Sequence, residues 1–281
     1  MKTKMNIRSL YIVLCGLVLS FASCKDYMTE IEPGTIPLED FFVSTDAAVQ
    51  NVTGCYTPLM WEYNRTYCPE WFMGDVASDD ALKGGGNTTD MADIYDVENW
   101  RTTDQNTFAL DFYQAQYQGI GRCNLALEYI NKMELGIDSA FTQDMKDRLL
   151  GEVHYLRAYY YFSLFRTYGG VPLITVVDLL DGKPTAEKFY VERATPEATM
   201  AFIKEDINKS EQYFGSNNTH NVYMWSKYAT LMLKAEIYMW SAKVSITGFN
   251  ATGTADLQTA KAALQGVMGQ FQLLDDYASI Y

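Results

Sequence analysis

The sequence predicts a mostly α-helical fold of stacked antiparallel helix pairs, tetratricopeptide-like in plan, carrying one long irregular loop insert. Three observations predict it. Apolar residues recur at three- and four-residue spacing along most of the chain beyond residue 41, which is the period of one helix face. Residues that start and stop helices bracket those stretches. Small alanines lie among tyrosines and tryptophans on successive amphipathic segments, so each pair needs a neighbour to cover its apolar side. Size and composition agree. A chain of 281 residues can bury one large core or two smaller ones, and 48% hydrophobic with 20% charged residues excludes wholesale disorder.

The first segment reads as an address. Lys2, Lys4 and Arg8 precede an apolar run from Leu10 to Ser23, too short to cross a bilayer but the right length for a signal-peptide core. Phe21-Ala22-Ser23-Cys24 resembles the lipobox of bacterial lipoproteins, in which the cysteine receives acyl chains, with Phe21 in place of the usual Leu. An ordinary small-residue cleavage site is the alternative. The expected organisation is a signal peptide over 1–23, a lipid-anchored tether over 24–40 and a helical domain over 41–281. Several acyl chains at about 0.8 kcal/mol per buried CH₂ hold a protein to a membrane durably. Lys25-Asp26 is similar to the surface-export signal of Bacteroides-type lipoproteins, which favours the outer face. Beyond Cys24, only Cys55, Cys68 and Cys123 remain in the mature chain; Cys55 and Cys68 can pair in an oxidising compartment or serve as small buried hydrophobes.

The helices follow in order. Asp46 to Tyr63 opens after the cap candidates Ser44 and Thr45 and carries Val49, Val52, Tyr56, Leu59 and Tyr63 on one stripe, with Pro58 predicting a kink or early stop. From Cys68 to Gln105 the period collapses into a loop-rich insert containing Gly84-Gly85-Gly86 and many carboxylates, and a loop of that length is usually functional or disordered. Phe108 to Met133 regains helical period, with Gly136 as a stop. Thr142 caps a long helix with Leu149, Val153, Leu156, Tyr160, Leu164 and Tyr168 on its buried side, ended by Gly169-Gly170 and Pro172. Val171 to Asp178 reads as extended. Thr195-Pro196-Glu197 is a helix start continuing through Met200, Ile203, Ile207 and Phe214 to Gly215. The last pair is predicted from Trp225, Ala229, Met232/Leu233, Glu236/Ile237 and Trp240, then Leu257, Ala260, Leu264, Val267 and Phe271.

Charge and motifs exclude several chemistries. Lys plus Arg is 22 against 35 for Asp plus Glu, a formal charge of −13 that repels a phosphate backbone, so nucleic acid is not an expected partner. His154 and His220 stand in no HExxH frame, there is no GxSxG elbow and no CxxC, and the glycine run lacks a phosphate-binding frame. No catalytic residue, metal ligand set or cofactor is assigned. Asp79-Asp80 beside the glycine run offers hard oxygens to calcium, but without EF-hand spacing a hydrogen-bonded loop acid is the better reading. Tyr159, Tyr160, Tyr161 and Phe162 point all round a helix axis and cannot form one stacking platform, so they are expected in the core. Arg157 and Arg166 are expected to snorkel or to pair with carboxylates.

Leu149-Leu150-Gly151-Glu152-Val153-His154-Tyr155-Leu156-Arg157-Ala158-Tyr159-Tyr160-Tyr161-Phe162, running on to Leu164-Phe165-Arg166-Thr167-Tyr168-Gly169-Gly170-Val171-Pro172-Leu173, resembles the hallmark segment of the SusD/RagB family, the starch-utilisation-system D lipoproteins. Tyr117 to Asn124, Arg193 to Pro196 and Ala229 to Tyr238 flank it in the family's order. The resemblance implies a SusD-like fold and a glycan-binding lipoprotein of the outer membrane. It would sit as a lid on a SusC-like, TonB-dependent transporter and pass oligosaccharides inward without cleaving them. Family members are considerably longer and continue past the segment that Leu274 to Tyr277 resembles, so a partial sequence is expected here. A sugar ring lays an apolar face on Trp or Tyr while amides and carboxylates meet its hydroxyls. Those residue types concentrate in the 68–105 insert, whose ligand-binding candidates are Trp71, Asp79, Asp80, Asn87, Tyr95 and Trp100. A tetratricopeptide-like protein-binding scaffold and a surface glycosidase are the competing functions.

Overall fold

A computed structural model describes residues 41–64, 72–78, 80, 92–175, 190–220 and 223–272, with backbone alone at 60–64 and 72–73. The expected signal peptide, Cys24 and the tether lie outside these residues, as do Cys68, Trp71, Asp79 and Asn87. The chain divides at Phe42, and all the helices below belong to the unit Phe42–Tyr281.

Its described residues form seven α-helices, α1 Thr45–Asn64, α2 Ala92–Glu98, α3 Thr107–Lys132, α4 Gln143–Tyr168, α5 Pro196–Phe214, α6 Lys227–Lys243 and α7 Thr254–Val267, with a π-helical turn at Phe72–Val76. Among the described residues there is no strand; Ile246 and Phe249 form an isolated bridge. Thr142 and Thr195 cap α4 and α5 through their side chains, and Pro196 occupies the first turn of α5. Gly169 and Gly215 end those two helices at φ 71° and 50°, a conformation that costs glycine nothing. Asn106 and Ser226 cap α3 and α6. α3 stops at Lys132, short of Gly136, and Trp225 precedes α6 rather than lying on it.

Packing is built around α4. It lies against α1, α3, α5 and α6, so its buried residues run almost unbroken from Leu149 to Phe165, and Tyr160, Tyr161 and Phe162 are within the core. The stripe expected on one side is in fact the whole circumference. Each such side chain removed from water contributes about 1.5–3 kcal/mol. Phe162 and Phe165 set their edges against Trp240 of α6. Tyr155 stacks on Trp225 with ring centroids 4.6 Å apart.

α1 runs through Pro58 instead of stopping there. A mid-helix proline leaves the carbonyl four residues earlier without its N–H donor. That carbonyl belongs to Gly54, and Arg122 of α3 donates to it through Nη1 at 2.8 Å. The next carbonyl, Cys55 O, accepts from the Tyr160 hydroxyl at 2.7 Å. To reach it the Tyr160 ring lies flat on α3 at Gly119, where a Cβ would come within 2.4 Å of the ring. Two side chains from neighbouring helices therefore sustain α1 where its own ladder is broken. Cys55 and Cys123 are both free thiols and fully buried.

Polar side chains inside the bundle are joined across helices. Asp206 of α5 receives Arg157 Nε at 2.7 Å, Arg157 Nη2 at 2.8 Å and His154 Nδ1 at 2.8 Å. Arg157 Nη1 also donates to Asn124 Oδ1 of α3 at 2.8 Å. Burial pushes the Asp206 carboxyl up, but the hydrogen bonds from Arg157 and His154 more than offset it and hold the group below its ordinary value. Burial holds His154 below its usual range, so the imidazole is neutral. Glu152 accepts from Tyr56 Oη at 2.8 Å and Arg148 Nη1 at 3.0 Å. Burial raises it to about 6 against the pull of Arg148 and Tyr56. Arg166 pairs with Glu236 of α6 at 3.1 Å, as its place on α4 led one to expect.

After α4, residues 171–175 are held by side chains of α3 and α4, and the rest of the expected extended run, 176–178, lies outside the described residues. Tyr117 Oη donates to Pro172 O at 2.7 Å, Asn124 Nδ2 to Ile174 O at 2.8 Å, and Tyr161 Oη both donates to Ile174 O and accepts from Ile174 N. Gly170 lies so close to the Ala194 carbonyl that a Cβ would stand 2.2 Å from it.

On α6 the buried residues include Tyr228, Leu231, Leu233, Ala235, Ile237 and Tyr238, so of the expected stripe Leu233 and Ile237 face inward while their neighbours Met232 and Glu236 point outward. α7 buries only Ala260 and Ala263. Of the wider expected stripe, Leu257, Leu264 and Val267 are half-buried and Phe271 lies beyond the helix, exposed.

Candidate functional site

The described residues of the insert hold more secondary structure than their sequence suggested. Val76 of the π turn, Ile94 and Val97 of α2, and Phe108 of α3 form a small core of their own, with Ala77 packed against it. A seven-residue helix shows too few turns for a period to register, and its apolar pair Ile94 and Val97 is the only mark it leaves. This small core stands the insert against the start of α3.

Between the insert and the C-terminal end of α4 lies an open cavity of about 400 Å³. Gly74, Ala77 and Val97 form one wall; Phe112 of α3 and Ser163, Arg166 and Thr167 of α4 form the other; Trp100 and Thr102 stand on the rim. Residues 163, 166 and 167 meet there because the spacings i, i+3 and i+4 share a helix face.

Trp100 is held by the end of α2. Its N–H donates to Val97 O at 3.1 Å and the Arg101 N–H donates to Asp96 O at 2.8 Å, the paired bonds of a Schellman cap in which the residue at the Trp100 place is usually glycine. Trp100 sits at φ 56°, the only non-glycine with positive φ among the described residues. A bulky side chain there is strained, and such strain clusters at sites of function. The indole is 80% exposed, so core packing does not explain its presence.

The other wall is polar where it can grip. Ser163 Oγ is buried and has no hydrogen-bond partner among the described residues. The Thr167 hydroxyl donates back to Ser163 O at 3.1 Å. The Arg166 guanidinium lies 4.7 Å from the Phe162 ring centroid while Glu236 holds Nη1. An aromatic plate, hydroxyl groups and one cation around a cavity of this size can seat a small polar ligand with an apolar face.

Of the residues singled out in the sequence, Trp100 lines this cavity. Tyr95 does not: its ring is half-buried and covered by the Arg101 guanidinium at 5.0 Å, which Asp96 pairs at 3.5 Å. Asp80 is exposed and away from the lining; its N–H donates to Ser78 Oγ at 3.1 Å. Phe112, Ser163 and Thr167 went unrecognised, and Arg166 was read for its ion pair alone. The available signal was a cluster of polar residues, 163, 166 and 167, ending an otherwise apolar helix. A second hollow of about 320 Å³ lies beside α6, where the rings of His220, Tyr228 and Phe271 meet edge to face. Among the described residues no three His, Cys, Asp or Glu side chains converge as a metal site, and no helix is long and apolar enough to cross a membrane.

Comparison with known proteins adds the following. A SusD-like family described as starch-binding and associating with the outer membrane matches residues 27–239. SusD-like protein P38 of Formosa agariphila is 26% identical over 266 residues, covering 92% of this chain and 48% of its own. Among solved structures, NanU of B. fragilis superposes with a TM-score of 0.68 at 27% identity, over 89% of this chain and 47% of its own. A laminarin-binding SusD-like protein superposes with a TM-score of 0.65 at 24% identity, over 84% of this chain and 47% of its own, a likeness of fold alone. The chain spans about half the length of these relatives.

Proposed function

Since the chain belongs to the SusD-like family, described as starch-binding and associating with the outer membrane, we propose that it is a cell-surface glycan-binding lipoprotein. It captures oligosaccharides and delivers them to a SusC-like, TonB-dependent outer-membrane transporter, and it is anchored by acyl chains on Cys24. The capture site is the cavity between the insert and α4. The observation that carries this reading is Trp100, a strained and 80% exposed indole at its rim.

The mechanism is adsorption without bond cleavage. The apolar face of a pyranose lies on the indole, and ring hydroxyls exchange water for the hydroxyls of Ser163 and Thr102 and the guanidinium of Arg166. Among the described residues the Ser163 hydroxyl has no partner to surrender, so a sugar hydroxyl there satisfies a group they leave unpaired. Trp71, Asp79, Asp80, Asn87 and Tyr95 belong to the same insert and are the further candidates for contacts with a longer glycan.

Calorimetric titration of the full-length protein with laminarihexaose and with malto-oligosaccharides tests the reading. Laminarihexaose is chosen because a protein of the same fold is named for binding laminarin. Binding is expected with one of them, and Trp100→Ala is expected to weaken it about tenfold or more with the fold intact, as for a truncated aromatic anchor. No binding to any glycan, with no transporter copurifying, would favour the protein-binding scaffold instead. Mass spectrometry of the mature N-terminus should find Cys24 acylated.

A further inference from the structure

Cys55 and Cys123 meet inside the bundle. On α1 the buried positions Ala48, Val52 and Cys55 recur at helical spacing, and on α3 so do Gly119, Ile120 and Cys123. The two faces touch at this level. Arg122 Nη1 donates to Gly54 O at 2.8 Å, and the Tyr160 ring that covers Gly119 ends in a hydroxyl on Cys55 O at 2.7 Å. Both thiols have no exposed surface. Cys55 Sγ donates to Asn51 O in the preceding turn at 3.5 Å, and its sulfur receives the S–H of Cys123. Sulfurs in hydrogen-bonding contact can close to a bond of about 2.05 Å by side-chain rotation. Nearness in sequence favours Cys68 as the partner of Cys55, whereas packing favours Cys123.

We propose that Cys55 and Cys123 become joined by a disulfide as the exported chain folds, pinning α1 to α3 beside the ladder break at Pro58. The family's association with the outer membrane takes the chain through an oxidising compartment. The oxidant is an external disulfide, that of a dithiol oxidoreductase or of glutathione. One cysteine thiolate attacks it, forming a mixed disulfide and releasing a first thiol. The other cysteine thiolate attacks the mixed disulfide, forms the Cys55 Sγ–Cys123 Sγ bond and releases a second thiol. The external disulfide gains the two electrons that the cysteines lose, and their two protons end on the two released thiols. Within the finished bundle neither step is open. No external disulfide reaches fully covered sulfurs, and burial pushes the Cys123 thiol up, which withholds the attacking thiolate. The exchange therefore precedes the docking of α1 on α3.

The test uses the full-length mature protein taken from the cell envelope, alkylated with N-ethylmaleimide in urea without reductant and digested with trypsin. Arg65 lies between Cys55 and Cys68, and Arg122 directly precedes Cys123, so the three cysteines fall on separate peptides. Mass spectrometry is expected to find the Cys55 and Cys123 peptides joined until a reductant is added, with Cys68 alkylated. Cys68→Ser should leave that cross-link in place. A second arm starts from the dithiol, prepared by reduction in urea and refolding with dithiothreitol. Once folded it should stay reduced for hours in a mixture of oxidised and reduced glutathione, whereas refolding in the same mixture should close the bond. The cross-linked form should melt about 10 °C above the dithiol, as expected for closing a loop of about 70 residues in a domain of this size. Three alkylated cysteines in the envelope protein, or a cross-link between Cys55 and Cys68, would overturn the proposal. Ready oxidation of the folded dithiol would overturn its timing.

Discussion

Replacing Trp100 by glycine and, separately, by alanine divides the cost of holding this residue from the use made of it. Both variants lose the indole. Its covered fifth amounts to about 1 kcal/mol of burial at roughly 25 cal/mol/Å², and that loss is common to the two. They differ in the backbone. At φ 56° the alanine keeps a left-handed conformation that costs an L-residue about 1–2 kcal/mol, whereas glycine adopts it without a Cβ clash but loses more chain entropy on folding. Trp100→Gly should therefore be the more stable of the two by about 1 kcal/mol, or some 2–4 °C in Tm for a domain of this size. Thermal melts followed by circular dichroism give the stability difference, and titration with the best-binding oligosaccharide gives the affinity, which should fall alike in both. If alanine matches or exceeds glycine in stability, Trp100 is not strained. If either variant binds as the wild type does, the indole is not the platform.

Three further outcomes follow from the bundle. Asp206→Asn removes the charge shared by Arg157 and His154 and should cost about 3–5 kcal/mol in urea unfolding, largely restored when Arg157→Met is combined with Asp206→Leu; a loss under about 1 kcal/mol would show that the cluster is dispensable. Gly119→Ala should destabilise by about 1–3 kcal/mol because the new Cβ meets the Tyr160 ring, while Gly121→Ala, two residues along with nothing within 4 Å, should stabilise by up to about 1 kcal/mol; equal signs would contradict the packing. Glu152, raised by burial from 4.5 to about 6, takes up a proton on folding, so it contributes stability that is complete below pH 4.5 and is lost as pH rises through 6, about 2 kcal/mol in all. His154, lowered by burial, works the other way: its contribution is present above pH 6.5 and is lost as pH falls below it. Glu152→Gln should accordingly leave a chain whose urea midpoint falls more steeply between pH 6.5 and 4.5 than the wild type's, and superimposable profiles would refute the assignment.

Helices long enough to repeat their apolar period were legible in the chain. α4 and α5 begin and end at Thr142, Gly169, Thr195 and Gly215, as cap chemistry requires. What periodicity cannot report is a partner from elsewhere in the sequence. Pro58 read as a break because its rescue comes from Arg122 and Tyr160, 64 and 102 residues further on. Asp206 read as a charge on an amphipathic helix because its ligands, His154 and Arg157, lie on another. The site shows the same division. Trp100 was legible as an aromatic in a polar insert, whereas Ser163 and Arg166 sit inside a segment whose apolar neighbours dominate the pattern. Tyr95 and Asp80 shared the composition of a binding loop, and only the fold of α2 turns Tyr95 onto Arg101 and leaves Asp80 outside the cavity.

The central claim is that one cavity, closed on one side by the insert and on the other by α4, receives a sugar. A crystal structure of the full-length protein soaked with the oligosaccharide that binds best in solution tests it most directly. Difference density for a pyranose lying on the Trp100 indole, with an oxygen in hydrogen-bonding reach of Ser163 Oγ, is the predicted result. Density confined to another surface, such as the ring cluster of His220, Tyr228 and Phe271, with the Trp100 cavity holding only solvent, would contradict it.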